Sequence, residues 1–316
     1  MERLNWIPDH LGDGFEMATI SQPDDYRGEV VATIIRRLAP DDGGRGVLYV
    51  HGFSDYFFQA ELAGEFVARG YSFYAVDLRK YGRSHLPHQP FFEVRSLTEY
   101  FPDIDAAIAA MAADGIKAPV LLGHSTGGLT ASLYMAMRKD SPVRALILNS
   151  PFLAWNMPRW QESLMPVLAL LGRIWPSLPI PQPKDIRYAR SLRKGLEGRW
   201  KYNTDWKPDQ MPDVDAGWVR AIELAQRRLR RGADIRVPIL LLTSSQSAGA
   251  QDPMEKFHRA DGVLAVAKIR RVGLTLGPDV TAVTVTDGLH DLALSAPEPR
   301  AAFLEAVFRF LAQRVY

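Results

Sequence analysis

An α/β chain built on a mostly parallel central sheet, with helices on both faces and an inserted helical lid, is predicted by three observations. Residues 47–50, 71–76, 119–122, 143–148, 237–242 and 280–285 are short apolar runs of strand length, and stretches with helical spacing separate most of them. Between the third of these runs and the helical run 129–139 stands Gly123-His124-Ser125-Thr126-Gly127-Gly128, a sharp strand-to-helix turn. After Pro151 the composition changes: five of the seven tryptophans lie within 155–206, among nine prolines that run from Pro151 to Pro212. That content fits short, interrupted helices and no further sheet unit.

In chain order, residues 15–20 and 28–38 read as flanking strands ahead of the first buried one at 47–50, which follows the turn-forming Asp41-Asp42-Gly43-Gly44. A helix over 60–69 ends at Gly70, and the strand 71–76 closes on Asp77-Leu78-Arg79-Lys80-Tyr81-Gly82-Arg83-Ser84. Ser96 is placed to cap a helix carrying Ile104, Ile108 and Met111 on one face, and Gly115 ends that helix. Residues 161–171 read as a short helix of the lid, broken from its neighbours by Pro176, Pro179, Pro181 and Pro183. The sheet pattern resumes with a helix at 217–230 and ends with the amphipathic helix 299–314, whose Phe303, Val307, Phe310 and Leu311 face inward. The resulting division is 1–150 for the first part of the core, 151–215 for the lid and 216–316 for the rest of the core.

Composition narrows the function classes. A hydrophobic content of 47% with a net charge of only +2 supplies a sizeable core and no global attraction to nucleic acid, which leaves small molecules as the expected partners. Without cysteine there is no thiolate catalysis and no Cys-ligated metal. The first residues lack the apolar core of a signal peptide and no apolar run approaches membrane-spanning length, so the expectation is a soluble, cytoplasmic protein.

The chemistry starts from Ser125. Small residues two before and two after it let strand and helix approach closely, and the strained turn pushes the hydroxyl into open space. A serine hydroxyl needs a base to take its proton and donors to receive an oxyanion. His290, in Asp287-Gly288-Leu289-His290-Asp291 just past the last strand, occupies the place that the order Ser, Asp, His gives the base. His10, His85, His88 and His258 lie in loops before or between units, whereas His51 and His124 belong to backbone turns, with His124 expected to pack. Asp261 and Asp252 both follow the strand 237–242, and either is placed to hold the imidazole tautomer. The oxyanion donors expected are the backbone N–H of Thr126, next after the serine, and that of Phe53, in the turn after the 47–50 strand.

Taken together, His51-Gly52-Phe53, the Asp77 to Ser84 loop, Gly123-His124-Ser125-Thr126-Gly127-Gly128, Asn149-Ser150-Pro151, Ala260-Asp261-Gly262-Val263 and Gly288-Leu289-His290-Asp291 resemble the α/β-hydrolase superfamily. Within it they are similar to the lysophospholipase and monoacylglycerol lipase group, which also holds serine aminopeptidase-like proteins. The resemblance spans nearly the whole chain in the family's order. It departs in three places: Lys80-Tyr81 stands where the family usually has glycine and histidine, Thr126 replaces methionine, and 243–259 enlarges a short turn. In the family the acid opens an Asp-x-Val-like turn about 30 residues before the histidine; Asp261 lies 29 residues before His290 and Asp252 lies 38 before it. The resemblance therefore implies Asp261 as the acid, with Asp252 capping the turn at Pro253.

The expected protein is a serine esterase or lipase-like hydrolase that needs no metal or organic cofactor. Its lid, with Trp155 and Trp160, is expected to receive an apolar acyl or aromatic group. An amide or N-terminal peptide hydrolase of the same fold would want an acidic pair in the lid, which offers Glu162, Asp185, Glu197 and Asp205 amid many cations. A ligand-binding protein that keeps the pocket without turnover is the alternative from a different class. Composition does not fix the oligomeric state.

Overall fold

Eleven strands and ten helices are set out in a computed structural model that describes residues 4–12 and 14–316. The strands are β1 (Ile7–Pro8), β2 (Glu16–Asp25), β3 (Gly28–Arg37), β4 (Arg45–Val50), β5 (Ser72–Asp77), β6 (Ala118–His124), β7 (Ala145–Asn149), β8 (Pro179–Ile180), β9 (Val214–Asp215), β10 (Ile239–Ser244) and β11 (Val280–Val285). The helices are α1 (Ala60–Val67), α2 (Phe101–Ala113), α3 (Thr126–Met137), α4 (Arg159–Glu162), α5 (Met165–Ile174), α6 (Arg187–Leu192), α7 (Ala216–Arg230), α8 (Met254–Phe257), α9 (Val266–Gly273) and α10 (Pro297–Arg314). No helix of the described residues is long and apolar enough to cross a membrane.

Nine strands form one sheet in the order β1-β2-β3-β5-β4-β6-β7-β10-β11. The first four are joined by antiparallel pairings, and from β5 onward every neighbour is parallel. A parallel sheet must be covered on both faces, and this one has a separate apolar cluster on each. One gathers Leu48, Val76, Leu121, Leu146 and Leu241 under α2, α3 and α7; the other gathers Tyr49, Phe73, Leu122, Ile147 and Leu242 under α1 and α10. Alternate residues along each strand go to alternate faces, which is why β6 and β10 are buried almost end to end and apolar up to their last two residues, Gly123-His124 and Thr243-Ser244.

Local chemistry sets the element ends. Ser96 does cap, but it caps a 3₁₀ turn at Leu97–Tyr100 that runs directly into α2. Its side chain and that of Glu99 form a reciprocal capping box. The helix after Ser125 begins at Thr126, three residues before the apolar periodicity does, because Gly127 and Gly128 are helical in spite of their propensity. The single helix expected over 161–171 is two pieces, α4 and α5, since Pro166 fits only the first turn of a helix. Segment 151–215 holds α4, α5, α6 and the small antiparallel pair β8–β9, and α5 lies directly on α7: a Cβ added to Gly172 would come within 2.0 Å of the Ala216 carbonyl oxygen.

Close approach in the core also marks the β6–α3 turn. A Cβ on Gly123 would stand 2.6 Å from the Gly127 carbonyl oxygen, and one on Gly127 would stand 2.3 Å from the carbonyl oxygens of both Val50 and His51. These obstacles are backbone, so they cannot swing away. Gly127→Ala should therefore lower stability by about 2 kcal/mol or more, the range of overpacking in a tight core. Gly249→Ala is the control, because its nearest neighbour beyond the chain is the Asp252 carboxylate at 3.8 Å. Urea midpoints for the two variants check this, and equal midpoints would contradict it.

Candidate active site

The turn after β6 holds Ser125 at φ 51° and ψ −117°, a conformation that L residues other than glycine rarely adopt and that stores about 1–3 kcal/mol. The backbone around it is fully engaged. Ser125 N–H donates to the Asn149 carbonyl at 3.1 Å, and its carbonyl accepts from Leu129 and Phe152 at 3.1 and 2.9 Å. Held this way, the Ser125 hydroxyl meets His290, with Oγ 2.9 Å from Nε2. His290 Nδ1 lies 3.0 Å from Asp261 Oδ2. The carboxylate can only accept, so Nδ1 carries the proton and Nε2 is left to accept from the serine. All three side chains are buried.

The two aspartate candidates separate by place. Asp261 is completely buried, and its second oxygen accepts the N–H groups of Val263 and Leu264 at 2.9 and 2.7 Å. Asp252 is on the surface, where its carboxylate takes Gly249 N–H at 2.8 Å and pairs with Lys256 at 3.0 Å. It does not cap α8, whose N-cap is Pro253 and has no side-chain cap; its carboxylate folds back on the turn before the helix and takes Gly249 N–H instead. The enlarged stretch 243–259 closes on itself: Asp261 N–H donates to the Gln246 carbonyl at 2.9 Å and Ala248 N–H to the Asp261 carbonyl at 2.8 Å. The extra chain thus leaves and returns at the same point past β10.

Residues 51–55 abut the serine. A Cβ on Gly52 would meet Ser125 Cβ at 3.2 Å, so the backbone of this loop passes directly beside Ser125. Among the described residues, neither Phe53 N–H nor Thr126 N–H has a protein acceptor. His51 fastens the loop from below: Leu78 N–H donates to its Nε2 at 3.1 Å, which leaves Nδ1 to donate to the Gly52 carbonyl at 2.8 Å. His124 sits with its ring 4.9 Å from that of His290, and burial lowers its pKa, so it stays neutral beside the relay.

Aromatic rings wall the Phe53 side. Phe53 packs against Trp218 and Phe92 at 4.7 and 5.3 Å, and Phe152 and Trp155 continue the wall at 5.1 Å from each other. Trp155 is fixed by its indole N–H, which donates to Glu223 at 2.9 Å. Trp160 is apart from this wall, on α4 with 64% of its surface exposed.

Several contributors carry no sequence signal of their own. Tyr188 of α6 lays its ring 5.6 Å from His290, and its hydroxyl accepts Asp291 N–H at 3.3 Å. Asp291, completely buried, accepts from Asn149 at 2.7 Å and from Gln59 at 3.2 Å, tying the His290 loop to β7 and to the start of α1. Lys80 occupies the family's glycine position at φ 65° and is entirely buried, with Nζ 2.6 Å from Asp25 and 3.5 Å from Glu93. Tyr81 fills the histidine position by packing its ring 4.8 Å from His51.

A model of the family described as serine aminopeptidase, S33, matches residues 44–261, more than half of the chain, and the chain belongs to that family. Its fold is that of the α/β-hydrolases. Over 109 residues it is 31% identical to an AB hydrolase superfamily protein, YisY, of Bacillus subtilis (strain 168); the match covers 34% of this chain and only 38% of that relative. Among solved structures, a monoacylglycerol lipase of Paleococcus ferrophilus superposes with a TM-score of 0.67 at 21% identity, over 90% of this chain and 98% of the other. A soluble variant of monoglyceride lipase from Saccharomyces cerevisiae gives 0.66 at 14% identity, over 92% and 94%. At those identities the likeness is one of fold.

One ion pair clamps the loop beside the serine. Lys207 Nζ lies 2.9 Å from Asp55, both side chains being largely buried. Burial alone would raise the Asp55 pKa; the Lys207 charge outweighs it and holds the carboxyl below its ordinary 3.8. A depressed folded pKa stabilises above the unfolded value and loses that contribution as the pH falls through the folded one. Lys207→Met should cost about 3 kcal/mol at neutral pH by stranding a buried carboxylate. Adding Asp55→Asn should recover much of the loss and flatten the fall in urea midpoint below about pH 4. A double variant as unstable as the single one would refute the pairing.

Proposed function

We propose that the chain is a serine hydrolase of carboxylic esters that works through an acyl-enzyme. The observation that carries this reading is His290, with one ring nitrogen 2.9 Å from the Ser125 hydroxyl and the other 3.0 Å from a buried carboxylate. Ser125 attacks the ester carbonyl while His290 Nε2 takes its proton, and Asp261 keeps Nδ1 protonated and steadies the imidazolium that forms. The oxyanion is received by the N–H groups of Phe53 and Thr126. His290 then gives its proton to the departing alcohol, and a water repeats the sequence on the acyl-enzyme.

The substrate class follows from the wall. Phe53, Phe92, Phe152, Trp155 and Trp218 form a contiguous aromatic surface beside the donors, suited to an apolar acyl or aromatic group. Segment 151–215 acts as the lid in this reading, with Trp155 on the substrate side. Amide cleavage next to a free amine is less well served, because Glu162, Asp185 and Glu197 are already paired with Lys268, Arg187 and Arg190. Of Glu162, Asp185, Glu197 and Asp205, only Asp205 has no cation partner among the described residues.

Ser125→Ala should abolish both fluorophosphonate labelling and p-nitrophenyl ester turnover, while Asp261→Asn should lower kcat by about 10⁴. Asp252→Asn should leave turnover within about twofold, since its carboxylate serves a surface turn. Measuring labelling, kcat and urea midpoint for all three is decisive: turnover by folded Ser125→Ala, or a collapse in Asp252→Asn alone, would overturn the assignment.

Trimming the wall is a separate test. Trp155→Ala should shift the preferred acyl length in a p-nitrophenyl ester series by changing kcat/KM more than about tenfold for long chains relative to short ones. Trp160→Ala should change all lengths alike. Parallel losses across the series for Trp155→Ala would make its role one of packing only.

A further inference from the structure

Phe92 holds a backbone conformation that its ring makes costly. Its φ is 65°, a region where a bulky side chain is an outlier and glycine sits without strain. Lys80 stands at the same φ of 65°, and the two strained residues are joined, since Phe92 N–H donates to the Lys80 carbonyl at 3.1 Å. Strain of this kind persists only where the surroundings over-determine it. A loop that needed only the turn would be served by glycine, so the ring is what the strain holds in place. That ring is buried, 5.3 Å from the ring of Phe53 and 4.9 Å from that of Tyr81.

What over-determines Phe92 is the tip of the β2–β3 hairpin. Three contacts staple residues 86–95 to it. The Gln89 side chain donates to the Glu29 carbonyl at 2.8 Å, Glu93 accepts from Arg27 at both carboxylate oxygens at 2.8 Å each, and the Arg95 guanidinium lies 3.5 Å from the centre of the Tyr26 ring. Lys80 closes the arrangement from inside, with Nζ 2.6 Å from Asp25, 3.5 Å from Glu93 and 4.3 Å from the centre of the Tyr26 ring. Glu93, next in sequence to Phe92, is therefore gripped by two cations. A two-point guanidinium–carboxylate pair fixes direction as well as distance. An edge hairpin outside segment 151–215 thus sets the place of one ring of the aromatic wall.

We infer that Arg27, Lys80 and Glu93 are positioning residues for the acyl site: they hold Phe92 against Phe53 and so set how far along the wall a long acyl chain is supported. They act through Phe92 alone. The inference rests on the ester reading, in which Phe53 also supplies an oxyanion donor. An acetyl group is too short to draw on the whole wall, so the lock governs long acyl chains and leaves the shortest ones unaffected.

The test reads a ratio, kcat/KM for p-nitrophenyl decanoate divided by that for p-nitrophenyl acetate. Phe92→Ala should lower it about tenfold. Arg27→Gln, at a partly exposed side chain, should lower it about threefold or more while leaving the acetate value within about twofold of wild type. On the Phe92→Ala background the same substitution should change the ratio less than about 1.5-fold, because the lock then has no ring left to position. A role in stability alone would move both esters together and would add in the double variant. Circular dichroism and urea midpoints check folding. Should Arg27→Gln not fold, Arg27→Lys keeps the charge, loses the two-point fork and carries the same test. An unchanged ratio in a folded Arg27 variant, equal losses for both esters, or a fully additive loss in the double variant would overturn the inference. Wild-type turnover separates it from the reading beneath it: if neither ester is turned over, the ester reading fails and takes this inference with it, whereas turnover of both with an unmoved ratio removes this inference alone.

Discussion

The contact between β6 and α3 across Ser125 is closer than any pair of side-chain-bearing residues could reach, and the arrangement of the site follows from it. With Gly127 against the Val50 and His51 carbonyls and Gly123 against Gly127, the start of α3 is wedged between the ends of β4 and β6. That wedge leaves the intervening serine one backbone conformation, at positive φ, and so one direction for its hydroxyl. The cost is local strain, and the surrounding sheet over-determines it through three backbone hydrogen bonds.

Parallel register does the remaining positioning. Because β6, β7, β10 and β11 run the same way, their carboxyl ends come out along one edge: Ser125 after β6, Asn149 at the end of β7, Asp261 beyond β10 and His290 beyond β11. Residues separated by 165 positions in sequence are thereby brought to hydrogen-bond distance. Crossovers in such a sheet leave loops at this edge free to vary, so the enlarged turn at 243–259 is accommodated without moving Asp261. Asn149 links the layers, bonding Asp291 from one side chain atom and accepting Leu292 N–H at the other.

Much of this was legible before any coordinates, and the reasons differ by residue. The parallel strands are largely apolar runs, so all six could be read along the chain, whereas the two-residue β1 and the placing of β5 before β4 could not; Ser125 and His290 stood out because glycine patterning and chain order constrain them jointly. Asp261 was separable from Asp252 only through family spacing, since a loop aspartate is by default a turn former. Lys80 was hidden: a lysine in a loop reads as solvated, and only the opposing Asp25 and Glu93, more than 10 residues away on either side, make its burial tolerable. Tyr188 and Lys207 were invisible for a related reason. Their partners are supplied by tertiary packing of an insertion whose course has no periodic pattern, and neither residue type marks a site by itself. The break between α4 and α5 was missed because the apolar spacing of 161–171 continues across Pro166, which is tolerated where a new helix starts.

Strand β11 is the last in the sheet, hydrogen-bonded on one side only, and most of its residues are half-buried where those of β10 are buried throughout. His290 hangs from its end, whereas Ser125 grows out of the sheet's interior. Opening of a sheet starts where ladder bonds are fewest, in units smaller than the whole molecule. His290 and the Ser125 hydroxyl it meets therefore depend on backbone of unequal support, one on an edge strand and the other in the interior of the sheet.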